Sequence, residues 1–156
     1  LHRAHCFQGQ ASVIRIERDP DFINSIANSP EVQPFIREDG APTDWTPVVK
    51  DRHSVSGIVV LSNGEDAVGV FEATAIEPPF QAFQMHTLFG ATCRGRKAID
   101  TAKAMLAWMF AHGATLIWGA TPRKNRAARW FNRQIGGRVT GGDDIEDVEF
   151  FELRVA

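Results

Sequence analysis

The chain has no tyrosine; its aromatic residues are 11 phenylalanines and 4 tryptophans. Any chemistry that needs a phenol is therefore excluded. Cysteine is scarce: Cys6 and Cys93 are the only two, with no CxxC and no Cys/His cluster at metal-ligand spacing. That leaves no disulfide framework, and no metal is expected. No apolar run approaches the roughly 20 residues that span a bilayer, so no membrane partner is expected. The opening LHRAHCFQGQ carries charges and no apolar stretch, so it does not read as a signal peptide. A reducing, cytoplasmic setting is the default expectation. Internal repeats, low-complexity tracts and linkers are missing. So are GxxxxGK[ST] and GxGxxG, the two common glycine-rich phosphate motifs.

What is present fits one globular domain over 1–156. The 156 residues match about 150 per domain, and 44% hydrophobic against 23% charged residues suits a packed core. The net charge of −2 conceals a segregation. Between Arg94 and Arg138 stand ten basic residues and one acid, Asp100; that stretch carries +9 and leaves −11 for the rest. From Val139 onward come six acids and one base, Arg154. The basic segment meets a polyanion, or the two segments pair with each other or are simply solvated.

The patterning predicts a strand over 11–17, then a helix capped by Asp19 with Pro20 in its first turn and an apolar stripe of Phe22, Ile23, Ile26 and Ala27. EVQPFI reads as a short helical turn, and 38–52, with Gly40, Pro42 and Pro47, as loop. Strands over 53–62, 67–76 and 81–89, separated by Asn63-Gly64 and Glu77-Pro78-Pro79, form an antiparallel meander. Residues 94–112 repeat apolar positions at helical spacing and stop at Gly113. TLIWGAT (115–121) reads as a short parallel strand buried on both faces, with Trp118 in the core. A helix follows from Asn125, with Ala128, Phe131 and Ile135 on one face, and ends at Gly136-Gly137; 147–155 is a last strand. The fold class is α/β, a mixed and mostly antiparallel sheet with a βαβ crossover.

Basic residues crowd the first turn of the 94–112 helix, the wrong end for the helix dipole. A strand leading into Arg94-Gly95-Arg96-Lys97 and a helix is a plausible phosphate cradle, because a helix N-terminus offers unpaired N–H groups. A solvated, mildly frustrated helix start is the plainer reading.

Strand, Arg94-Gly95-Arg96-Lys97-Ala98, helix, strand, then Asn125-x-x-Ala128-x-x-Phe131 and Gly136 resemble the GCN5-related N-acetyltransferases. The resemblance covers about 53–153 in element order and 85–137 in motif detail. It implies a single-domain GNAT-like fold with a splayed parallel strand pair, acetyl-CoA as cosubstrate and direct acyl transfer to an amine, on a small molecule or a protein. It places the pantetheine arm against the backbone of Leu88 and Phe89 and the pyrophosphate on the loop from Arg94 through Gly95, Arg96, Lys97 and Ala98 to Ile99. Asn125 and Phe131 would lie beside the arm. Three positions depart from the family pattern. Lys97 stands where the loop has glycine and Ile99 where it has a small residue. Asn132 occupies the place, seven residues after the asparagine, of a tyrosine that protonates the departing thiolate. A water, Cys93 or a Ser/Thr hydroxyl would have to serve.

Deprotonating the amine calls for a base. His86, on the strand beside the expected cleft, is the first candidate and Glu72, on the adjacent strand, the second; each also suits a half-buried or solvent-facing strand position. His2, His5, His53 and His112 lack a recognisable pattern. Trp130 among Arg126, Arg129 and Arg133 suggests single-strand stacking, which makes a nucleic-acid-binding module a minor rival. The MHTLF and ANSPEVQPFI segments resemble, more narrowly, acetyltransferase-like proteins of bacteriophages and prophages. That would add phage particle components as partners, a virion location, and a catalytically silent structural or assembly role. A homodimer and a CoA-binding regulator without turnover complete the expectations.

Overall fold

The computed structural model describes residues 13–36, 39–50 and 57–155. The candidates His2, His5, His53 and Cys6, and the predicted strand residues 11–12 and 53–56, lie outside them.

A two-residue strand, β1 (Arg15–Ile16), leads to α1 (Pro20–Ala27). Asp19 caps α1 by accepting from the Asp21 N–H at 2.9 Å, which contributes about 1 kcal/mol. Ile23, Ile26 and Ala27 bury the predicted stripe. Two short helices follow, α2 (Gln33–Ile36) and α3 (Thr46–Lys50). The second was expected to be loop. Its prolines misled: Pro47 sits in the first turn, where its missing N–H costs nothing. The Thr46 N–H donates to the Asp44 side chain at 2.9 Å, and Val49 N–H to Trp45 C=O at 3.1 Å.

The meander consists of β2 (Ile58–Ser62), β3 (Ala67–Glu77) and β4 (Phe80–Phe89), all antiparallel. Asn63-Gly64 does not make a two-residue turn. The connection is four residues, organised by Asn63 Oδ1, which accepts from the N–H groups of Glu65, Asp66 and Ala67. Helix α4 (Arg96–Ala111) crosses to β5 (Leu116–Pro122), which runs parallel to β4. Helix α5 (Arg126–Gln134) then precedes β6 (Arg138–Asp143) and β7 (Val148–Arg154). The sheet order is β1-β2-β3-β4-β5-β7-β6, and β4–β5 is its parallel pair. Strand β6 escaped prediction because RVTGGD is exposed almost throughout, so no hydrophobic alternation marks it.

Two apolar clusters flank the sheet. One packs α4 against Leu61, Phe71, Phe83, Met85, Ile117 and Phe151; the other packs α1 and α3 against Val60, Val68, Val70 and Leu88. Strand β5 alternates buried and open positions instead of being buried on both faces. Trp118 is accordingly half-buried, not core: its Nε1–H donates to Thr74 Oγ1 at 3.0 Å and its ring meets Phe150 edge-on.

Candidate active site

The parallel pair is short. Ala82, Phe83 and Gln84 pair with Leu116, Ile117 and Trp118, and there the ladder stops. Beyond it, Met85–Phe89 of β4 and Gly119–Pro122 of β5 part company. Gly119 stands at the fork, and a Cβ there would lie 2.6 Å from the Phe151 ring. The bare glycine thus admits Phe151, which lines the opening. The result is a cleft of about 730 Å³, within the usual range for small-molecule sites.

One end of the cleft runs into the start of α4. Gly95 is the N-cap residue, at φ 57°, ψ −127°, a conformation essentially reserved for glycine. No side chain caps the helix, and the first intrahelical bond is from Ile99 N–H to Gly95 C=O at 3.2 Å. The N–H groups of Arg96, Lys97 and Ala98 therefore have no intrahelical acceptor. Nothing lies within 4 Å of where a Gly95 Cβ would be, so the approach to these groups is open. Arg94, Gly95 and Ala98 line the cleft.

The side chains of Arg96 and Lys97 do not. Arg96 donates to Asp100 at 3.2 Å along the helix surface. Lys97 Nζ lies 3.1 Å from Asp66 Oδ2 and 3.5 Å from Glu65 Oε2. The Asp66 hydrogen bond, ahead of the neighbouring charges, raises the Lys97 pKa. Burial pushes the Asp66 carboxyl up, but hydrogen bonds from Thr92, Asn63 and Lys97 with the Lys97 charge outweigh it and hold it below the ordinary value. What these two basic residues offer the cleft is backbone N–H, not side-chain charge.

Leu88 and Phe89 line the parted edge of β4, and Phe89 packs edge-on against Phe131 of α5, centroids 5.3 Å apart. Asn125 caps α5 by accepting from Ala128 N–H at 3.1 Å and also faces the cleft. Asn132 donates from Nδ2 to Thr121 Oγ1 at 2.8 Å, both in the cleft wall. The Thr121 oxygen is thereby occupied as acceptor, which leaves its own O–H to donate elsewhere. Sequence reasoning had not singled out Thr121. Cys93 is fully buried beside Thr101, and burial pushes its thiol pKa up.

At the other end, Val70 pairs with His86 and Glu72 with Gln84. Alternation along each strand therefore puts Glu72 and His86 on one face, on diagonal positions. Both are exposed cleft-lining residues. Glu31 and Val32 before α2, Phe35 and Ile36 within it, and Trp45 before α3 complete this end. The segment that carries Trp45 is pinned from α1. Asn24 Oδ1 accepts from the Trp45 N–H at 2.7 Å, and one turn on, Asn28 Oδ1 accepts from Thr43 N–H at 2.7 Å. The signal was in the sequence as two asparagines spaced i, i+4, visible only once their partners were known.

The basic and acidic segments pair in part. Arg123 meets Asp144 at 2.7 Å, and Arg129 and Arg133 meet Glu149 at 3.0 and 3.8 Å. Two of the three arginines around the half-exposed Trp130 are thus engaged by one carboxylate, which weakens the nucleic-acid reading. His112 stacks on Trp108 at 3.7 Å, away from the cleft lining. Among the described residues no cluster of three or more His, Cys, Asp or Glu is arranged to hold a metal, and no helix is long and apolar enough to cross a membrane.

Neither a protein-family model nor a curated protein sequence matches the chain. Solved structures do. An aminoglycoside acetyltransferase in complex with coenzyme A is similar at a TM-score of 0.71 and 13% identity, over 91% of this chain and 94% of that one. The protein yncA of Salmonella typhimurium, solved with its cofactor acetyl-CoA, gives 0.65 and 15%, over 94% and 95%. A GNAT-family acetyltransferase from Streptococcus pneumoniae gives 0.60 and 12%, over 92% and 99%. At these identities the likeness is one of fold. The single α/β domain, with its seven-stranded, mostly antiparallel sheet and one parallel pair, has the GNAT fold.

Proposed function

We propose that the protein is an acetyl-CoA-dependent N-acetyltransferase that transfers the acetyl group directly to an amine. One observation carries this reading: β4 and β5 part after three paired residues, and the cleft between them runs into an uncapped helix N-terminus. The residues fit an acyl-CoA. The parted edge of β4 at Leu88 and Phe89 offers unpaired backbone to the amide groups of a pantetheine arm. The N–H groups of Arg96, Lys97 and Ala98, with the Arg94 side chain, suit a pyrophosphate. Phe131 and Asn125 bound the channel from α5. The neighbouring fold family lends support, since its members include structures solved with acetyl-CoA or coenzyme A.

In the transfer the amine nitrogen bonds to the thioester carbon, the C–S bond breaks, and the amine proton leaves. Glu72 and His86, on the acceptor face, are the groups that take that proton, directly or through water. Strand backbone N–H near Leu88 polarises the carbonyl. Thr121, with its oxygen held by Asn132, supplies a hydrogen bond to the departing sulfur where tyrosine is missing. Cys93 is unsuited to a covalent intermediate: it is buried and its thiolate is disfavoured. Nothing in the fold likenesses supports the narrower phage-encoded resemblance, particle partners or a homodimer.

Thermal-shift titration with acetyl-CoA, with CoA and ATP as controls, tests the reading. Ligand at about 100 times its dissociation constant adds about 2.7 kcal/mol, a rise of several degrees. A shift with both CoA forms but not ATP is the expected result; no shift with acetyl-CoA removes the proposal.

A further inference from the structure

The acceptor end of the cleft differs in chemistry from the end at α4. Its walls are apolar: Val32, Phe35 and Ile36 from the helical segment, Trp45 before α3, and Ile58 at the start of β2. Phe35 is 78% exposed and lines the cleft. An exposed aromatic ring beside Trp45 and Ile58 leaves apolar area for a ligand to cover. The wall is also held in place, because Asn24 and Asn28 fix the backbone on which Trp45 stands. A pre-set wall spares a ligand the ordering cost.

Among the described residues lining this end, the charged side chains have one sign. Among the described lining residues, Glu31 and Glu72 are carboxylates, while the one lysine or arginine, Arg94, belongs to the α4 end. A cationic amine entering here gains from both glutamates. A carboxylate on the same molecule meets them without a partner. A polyhydroxylated or polyaminated acceptor needs many hydrogen-bonding groups, and among the described residues lining this end the polar ones are few: the two glutamates, His86 and Thr87.

We infer that the acceptor is a small monoamine on an apolar, aromatic or branched body, with no carboxylate of its own. This rests on the acetyltransferase reading above. Its determinants are Phe35 and Trp45 for the body and Glu31 and Glu72 for the amine.

The test is the initial rate of CoA release by the full chain with acetyl-CoA and four acceptors: phenethylamine, phenylalanine, spermidine and kanamycin. Phenethylamine is expected to exceed each of the others in kcat/KM by at least about tenfold, the worth of one apolar ring covered or one charge repelled. Phe35→Ala should raise KM for phenethylamine about tenfold while kcat and the acetyl-CoA thermal shift stay near wild type. Because Phe35 is exposed, this variant does not threaten folding. Preference for spermidine or kanamycin, equal use of phenylalanine, an unchanged KM in Phe35→Ala, or rejection of all four acceptors with acetyl-CoA still bound overturns the inference and leaves cosubstrate binding intact. Loss of acetyl-CoA binding in the wild-type protein removes the acetyltransferase reading itself.

Discussion

Lys97 Nζ lies 3.1 Å from Asp66 Oδ2, so the lysine at the loop position where the family has glycine points at the β2–β3 connection and not into the cleft. Asp66 is also bonded by Thr92 Oγ1 and by Asn63 Nδ2, the latter at 2.9 Å, and its carbonyl accepts from Gly90 N–H at 2.7 Å. One carboxylate thus ties the β2–β3 turn to the segment that leads into α4.

This arrangement separates two basic residues that look alike in the sequence. Arg94→Ala should weaken acetyl-CoA binding about tenfold or more, the worth of a charge-assisted hydrogen bond. Lys97→Ala should leave that affinity within about twofold and lower the melting temperature instead. Isothermal titration with CoA, beside melting curves of both variants, separates the two effects. An equal loss of affinity in both would place Lys97 on the phosphates.

Asp66→Asn should cost about 1–3 kcal/mol at neutral pH, since several donors lose an ionised acceptor. The folded-state pKa of Asp66 is lowered from 3.8. Its stabilisation is therefore fully present above that value and is lost as pH falls through the lower folded pKa. Urea denaturation at pH 7 and at stepwise lower pH should show the gap between wild type and Asp66→Asn closing only below about pH 4. A gap that closes near neutrality would contradict the assignment.

Gly95→Ala forces a side chain onto φ 57°, ψ −127°. The strain, about 1–3 kcal/mol, should appear as lost stability, and relaxation of the loop should appear as weaker CoA binding. A variant that melts and binds like wild type would mean that the α4 entry does not require this conformation.

Thr121→Val keeps the shape of the side chain and removes its hydroxyl. If that hydroxyl serves the departing sulfur, kcat should fall on the order of 10²-fold while acetyl-CoA affinity holds. Asn132→Ala should fall in the same direction but less, because it only orients Thr121. The double variant should be no worse than Thr121→Val alone, which a thermodynamic cycle on kcat would measure.

Much of this architecture was legible in the sequence. Asp19-Pro20, the 94–112 periodicity and the Asn125 start announce themselves through local rules, and the structure places caps and helices there with boundaries one or two residues shorter. The misses have two kinds of cause. Local signals misled for α3, whose prolines read as loop, and were missing for β6, which lacks hydrophobic alternation; the setting of Trp118 comes from Thr74 and Phe150, distant in the chain. The site divides in the same way. Arg94, Gly95, Leu88, Phe89, Asn125 and Phe131 sit on a contiguous motif and come together in the cleft, as do Glu72 and His86. The engagement of Lys97 by Asp66, the Asn132–Thr121 bond and the Phe35–Trp45 wall join residues 10 to 31 positions apart, a distance over which no spacing rule speaks.

The seam between β4 and β5 has an architectural consequence. With three paired residues, it joins two half-sheets, β1 to β4 on one side and β5, β7 and β6 on the other, over only a fraction of their length. Among the described residues no strand fills the wedge that remains. A ligand seated there would touch both edges and act as a splint, adding to the apolar cluster of Phe71, Phe83, Met85, Ile117 and Phe151 that already spans the seam.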